Sequence, residues 1–210
     1  MDTEKTEQIT IILARILSFV FHPLFCPLYG LAIIFTAPTF LEYLPDTVKK
    51  MLFMTVLANN VMIPVVMLPL LRNRNIISSY YIDDRSERII PLTMLSMLYI
   101  ITSFITFRFH VPMIIKSLIF AVTLLSIIVT FITFWWKISI HSMATGSIIA
   151  LIIMLSIKMH VPLTWYLVTA VLIGGCILSA RLLLGSHNPA QVWAGFATGF
   201  LGLTAVMLIF

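Results

Sequence analysis

The chain has 210 residues, 60% of them hydrophobic and 10% charged, with a net charge of +5. Soluble domains carry roughly 25% charged residues, so the composition excludes a soluble globular protein. The absence of a basic block or exposed aromatic platform excludes a nucleic-acid binder, and the basic balance fits anionic headgroups and phosphate ligands instead.

The apolar runs are continuous rather than alternating, which excludes a membrane barrel. They reach about 20 residues, enough to cross a bilayer as helices. The expected fold is all-α: a polytopic membrane helical bundle of about seven hydrophobic segments, forming one integral membrane domain over residues 1–210. The first residues, MDTEKTEQ, are polar and mixed in charge, without the basic start or cleavage site of a secretory signal, so no removable segment is expected. Cys26 and Cys176 both fall inside apolar runs and read as packing residues.

The first stretch, 8–37, is interrupted by His22-Pro23 and Pro27. It predicts a helix, a break near 22–27 and a second helical piece that together cross once. His22 reads as a group that satisfies backbone freed by the break, with a ligand role as the alternative. A short loop, 38–47, leads to a second span at about 48–71, in which Asn59, Asn60 and Pro64 are expected to face other helices. The longest polar segment, Arg72 to Arg88, precedes a third span, 89–107, with Pro91 near its start. The loop 108–113 leads to a fourth span, about 114–136, that ends on the interface anchor Trp135-Trp136-Lys137. The fifth span starts within 139–146 and runs to about 157. After the loop 158–164, span six covers about 164–184, with Gly174-Gly175 allowing close approach of a neighbouring helix. Span seven covers about 189–210, with Asn188 as N-cap and Pro189 as first helical residue. His110 and His160 read as headgroup-level residues of two short basic loops.

Seven crossings fix which polar stretches share a membrane face. Arg85/Arg88, Lys137/His141 and Arg181/His187 fall on the side of residue 1, whereas the plain loops 38–47, 108–113 and 158–164 fall on the other. Eight of the basic residues lie on the first side and five on the second, but four of the eight are candidate site residues, so charge asymmetry does not set the orientation. No acid follows Glu87, which argues against a carboxylate metal cage and against two-carboxylate hydrolysis using residues of the C-terminal half. The shared face is basic: Arg85, Arg88, Lys137, Arg181, His141 and His187. Arginine forks match phosphate oxygens, and helices starting near Ser139 and Asn188 point free N–H groups the same way. Two histidines among such cations fit phosphoryl transfer through a phosphohistidine, one acting as nucleophile and the other as general acid.

These residues resemble the signatures of the phosphatidic acid phosphatase type 2 superfamily of lipid phosphatases. Its third signature is Ser-Arg, five residues, His, three residues, Asp; here Ala180-Arg181, five residues, His187, three residues and Gln191 repeat the spacing. In having Gln191-Val192 and then Gly195, the chain is similar to the dolichyl-diphosphatase-like branch. The second signature, Pro-Ser-Gly-His, reads Ile138-Ser139-Ile140-His141, and the first, Lys, six residues, Arg-Pro, corresponds loosely to Arg85 through Pro91.

The resemblance covers roughly residues 72–205 and implies a six-helix phosphatase-like core preceded by the kinked N-terminal segment. It implies His187 as nucleophile, His141 as general acid and Gln191 as the residue orienting His187, with Arg181, Ser139, Lys137, Arg88 and Arg85 holding phosphate oxygens. It further implies no metal or other cofactor, a lipid phosphomonoester or polyprenyl diphosphate as substrate, and a bacterial inner membrane as location. Two other readings stay open. Asp83-Asp84-Arg85-Ser86-Glu87 resembles a magnesium–diphosphate motif of membrane prenyltransferases, and Ile140 in place of Gly fits a scaffold that binds lipid phosphate without turnover.

Overall fold

A computed structural model describes residues 2–80, 82 and 84–210, with side chains from residue 5 onward. Asp83 of the acidic motif lies outside the described residues. Among the described residues every regular element is a helix, and seven segments are long and apolar enough to cross a membrane. The protein is an all-α integral membrane bundle.

The first span is α1 (Asp2–Val20) and α2 (Cys26–Thr36), separated by a 3-10 turn at Pro23–Phe25. The break has a local cause. Pro23 and Pro27 cannot donate backbone hydrogen bonds, and the His22 side chain caps the turn by accepting from the Leu24 N–H at 3.3 Å. The second span is α3 (Asp46–Leu57) and α4 (Ile63–Asn73), joined through a π-helical turn at Ala58–Met62. Pro64 removes the N–H that would bond to Asn60 four residues back, and the ladder widens there. Asn60 is fully buried, and its amide oxygen accepts from the Thr102 hydroxyl at 2.7 Å.

The third span corrects the sequence expectation. α5 (Arg85–Arg108) begins at Arg85, not Ile89, and Pro91 sits inside it. Asp84 is the reason: its carboxylate accepts from the Ser86 N–H and the Ser86 hydroxyl, both at 2.8 Å, and caps the helix earlier than Pro91 would have started it. The same N–H and hydroxyl hold the Asp84 carboxyl below the usual carboxylate range. Arg85 and Arg88 are therefore first-turn residues of a spanning helix.

The remaining spans are α6 (Met113–Thr133), α7 (Ile140–Met159), α8 (Thr164–Leu183) and α9 (Pro189–Ile209). α6 stops at Thr133, short of the expected 136, so Trp135 and Trp136 follow the helix and stand exposed. Asn188 caps α9 and Pro189 opens it, as the sequence indicates.

The most extensive pairing is α7 against α9. It rests on glycines: a Cβ on Gly195 would run into the Ser139 carbonyl oxygen, one on Gly199 into that of Met143, and one on Gly146 into that of Phe196. The helices touch backbone to backbone, and the Ser139 N–H donates across to the Gln191 carbonyl at 3.3 Å. Gly174 likewise brings α8 close to α7, where its Cβ would meet the Thr145 methyl at 2.6 Å, whereas Gly175 faces open space. The tight seam thus runs through α7 and α9, not only through the Gly174-Gly175 pair singled out from the sequence. It locks the segment carrying His141 against the segment carrying His187.

Candidate functional site

His187 occupies the short turn between α8 and α9. Gly185, at φ +62, reverses the chain after α8 in the left-handed region that suits glycine. Asn188 and Gln191 then form a capping box: the Asn188 side-chain oxygen accepts from the Gln191 N–H at 2.9 Å, and the Gln191 amide oxygen accepts from the Asn188 N–H at 3.3 Å. The same Gln191 oxygen lies 2.9 Å from Nδ1 of His187. An atom that accepts from a backbone N–H is the amide oxygen, so Nδ1 must be the protonated nitrogen of a neutral His187. Nε2 keeps its lone pair.

His187 is only 7% exposed. Burial is the main reason its pKa is lowered to about 4. Gln191 opposes the shift, while the charges of Arg88, Arg181 and Lys137 add to it. Three cations from three separate segments therefore bear on one imidazole.

His141 stands at the second position of α7. Its Nε2 lies 3.1 Å from the Ser18 carbonyl oxygen, which can only accept, so Nε2 carries a proton and donates. The Arg181 guanidinium, on the last turn of α8, donates to the Ser18 hydroxyl at 3.4 Å. Ser18 on α1 is itself buried and thus steadies both groups. The His22 ring meets the His141 ring edge to face, with centroids 5.5 Å apart and planes at 82°.

Arg88, His141, Arg181 and His187 line one cavity of about 250 Å³, together with His22. Among the described residues no Asp or Glu lines it. The rest of its lining is mainly apolar and includes Leu98 and Tyr99 of α5 and Leu125 of α6. A second, mainly apolar cavity of about 490 Å³ lies along α2, α7 and α8 and shares His22, Cys26, His141 and Ala144 with the first. The polar end of the first cavity is thus built from the α1–α2 break and from the starts or ends of α5, α7, α8 and α9. Seven crossings put most of these on one face.

Other expected site residues lie elsewhere. Ser139 is fully buried, and its hydroxyl caps α7, accepting from the Ser142 N–H at 3.4 Å and the Ser142 hydroxyl at 2.9 Å. The Arg85 guanidinium donates to the Trp135 carbonyl freed by the early end of α6. Lys137 is half-buried outside the cavity lining, and its charge reaches both His187 and Asp84. Gln191 acts through His187. Ser18 escaped the sequence reading, and His22 was read first as a backbone partner. Ser18 carries no signal, being one serine in an apolar run. His22 did carry one, the His-Pro break itself, and its backbone-capping role accounts for only one of its two ring nitrogens.

No protein family, curated protein or solved structure matches the chain.

Proposed function

We propose that the protein is a membrane lipid phosphatase that transfers phosphate from a lipid phosphomonoester or polyprenyl diphosphate to His187 and then to water. One observation carries the reading: two arginines and three histidines, with no acid among the described residues, line a single cavity whose remaining lining is mainly apolar. Such a cavity suits a phosphate among its cations and hydrocarbon against its apolar lining.

In this reading Nε2 of His187, left unprotonated by the Gln191 contact, attacks phosphorus. The bond from phosphorus to the lipid oxygen breaks with its electron pair going to that oxygen, which takes the Nδ1 proton of His141 in its doubly protonated, imidazolium form. The Ser18 carbonyl keeps the other nitrogen of His141 occupied, and the phosphate dianion offsets the charge of His141 beside Arg181. Water then attacks the phosphohistidine. The phosphorus–nitrogen pair returns to His187, the proton of water returns to Nδ1 of His141, and inorganic phosphate leaves. Arg88 and Arg181 hold the phosphate oxygens. Lys137 contributes long-range charge, and Ser139 fixes the start of α7. The expected setting remains a bacterial inner membrane.

The test is phosphate release in detergent from phosphatidate, phosphatidylglycerophosphate and undecaprenyl diphosphate, with EDTA present throughout. Turnover of at least one substrate under chelation is the expected result. Release that requires magnesium would favour the acidic-motif reading, which Asp84 does not support, since its carboxylate caps α5. Binding of lipid phosphate without release under any condition would leave a non-catalytic binder.

A further inference from the structure

We infer that His22, at the break between α1 and α2, is a third histidine of the site and donates a hydrogen bond from Nε2–H to the bound phosphate. This rests on the phosphatase reading for its ligand, but it assigns to the N-terminal segment a part that no catalytic motif in the sequence contains.

The Leu24 N–H donates to Nδ1 of His22 at 3.3 Å, so Nδ1 holds a lone pair and the proton of the neutral ring sits on Nε2. His22 is therefore a fixed N–H donor, whereas His187, with its proton on the opposite nitrogen, is a fixed acceptor. The ring lines the cavity shared by Arg88, Arg181 and His187. It packs edge to face with His141, 5.5 Å away between centroids, and Arg181 is near enough for its charge to act on the ring. The backbone cap does not itself require histidine, since Asn would serve it equally.

The surrounding segment reinforces the assignment. Ser18, four residues earlier on α1, receives His141 on its carbonyl and Arg181 on its hydroxyl. Meanwhile Ser139 spends its hydroxyl on the α7 cap and Arg85 its guanidinium on the Trp135 carbonyl. Two groups expected to bind phosphate are thus occupied elsewhere, and His22 supplies a donor within the cavity itself.

Two substitutions separate the halves of the imidazole. His22→Asn places an amide oxygen where Nδ1 was, so the cap to Leu24 survives and the Nε2 donor is lost. His22→Gln reaches further with its amide nitrogen and sacrifices the cap. Three quantities are measured on the detergent-solubilised full chain: affinity for inorganic phosphate by calorimetry, kcat/KM for phosphatidate, and the thermal unfolding midpoint. His22→Asn should keep the midpoint while phosphate affinity and kcat/KM each fall by about 10- to 100-fold, the worth of one hydrogen bond to a charged group. His22→Gln should lower the midpoint and recover part of the binding. A merely structural His22 would move binding and stability together, and that pattern overturns the inference. So does wild-type phosphate affinity in His22→Asn. A wild-type protein that binds phosphate but hydrolyses no lipid phosphate would defeat the phosphatase reading while the loss in His22→Asn still upheld His22. A wild-type protein with neither binding nor hydrolysis would overturn both.

Discussion

A histidine nucleophile must offer a lone pair, and in a neutral imidazole only one nitrogen has one. At His187 the choice is made by Gln191, whose amide orientation is fixed in turn by the Asn188 N–H. Gln191→Leu should therefore reduce kcat by about 100-fold, as loss of an orienting hydrogen-bond partner commonly does, with KM little changed. Gln191→Glu tests the electrostatic side. With the neutral amide, the buried imidazole loses its proton near pH 4, so the acid limb of kcat/KM that reports the free His187 lies near that value. A carboxylate stabilises the imidazolium, and the limb should move upward by at least about one pH unit. A limb that stays in place in the pH–rate profile of Gln191→Glu would detach Gln191 from the titration of His187. The spacing from His187 to Gln191 was readable in the sequence because four residues make one helical turn. The tautomer was not, since it depends on a backbone N–H that only the folded capping box presents.

Among the elements, α7 and α9 set the separation of the two motif histidines, and they do so by touching at glycines. A methyl at Gly199 meets the Met143 carbonyl, which cannot rotate away as a side chain could. Gly199→Ala should cost about 1–3 kcal/mol through overpacking and weaken phosphate binding as α7 and α9 are pushed apart. Gly175→Ala, one helix away and facing open space, should be neutral or gain up to about 1 kcal/mol in helix propensity. Thermal unfolding of the two variants in detergent compares them directly, and equal midpoints would contradict this account of the seam. Element boundaries were legible where a cap coincided with the end of an apolar run, as at Asn188-Pro189. They were misread at α5, where the Asp84 cap outweighs Pro91. The π-turn at Ala58–Met62 was hidden because Pro64 signalled a disturbance without its form.

At the scale of the molecule, hydropathy alone gave the seven crossings, because each span must satisfy its own backbone in lipid. Counting crossings then placed Arg88, His141, Arg181 and His187 on a common face. Parity assigns a face but not an angular position around the bundle. For that reason it could not tell that Arg85, Ser139 and Lys137 lie outside the cavity lining, or that the first span reaches the site through Ser18 on α1 and His22 in the break after it. The N-terminal span, which the sequence treated as preceding the phosphatase-like core, is part of the wall.

The central claim is that one anion pocket at a membrane boundary delivers phosphate to His187. Its most direct test is rapid acid-free quenching of the detergent-solubilised protein during turnover of lipid phosphate labelled with radioactive phosphorus, followed by peptide mapping. The account predicts label on His187, stable to alkali and lost in acid, and neither label nor phosphate release in a folded His187→Ala variant. Continued phosphate release by that variant, or turnover of the wild-type protein with label on another residue, would contradict it.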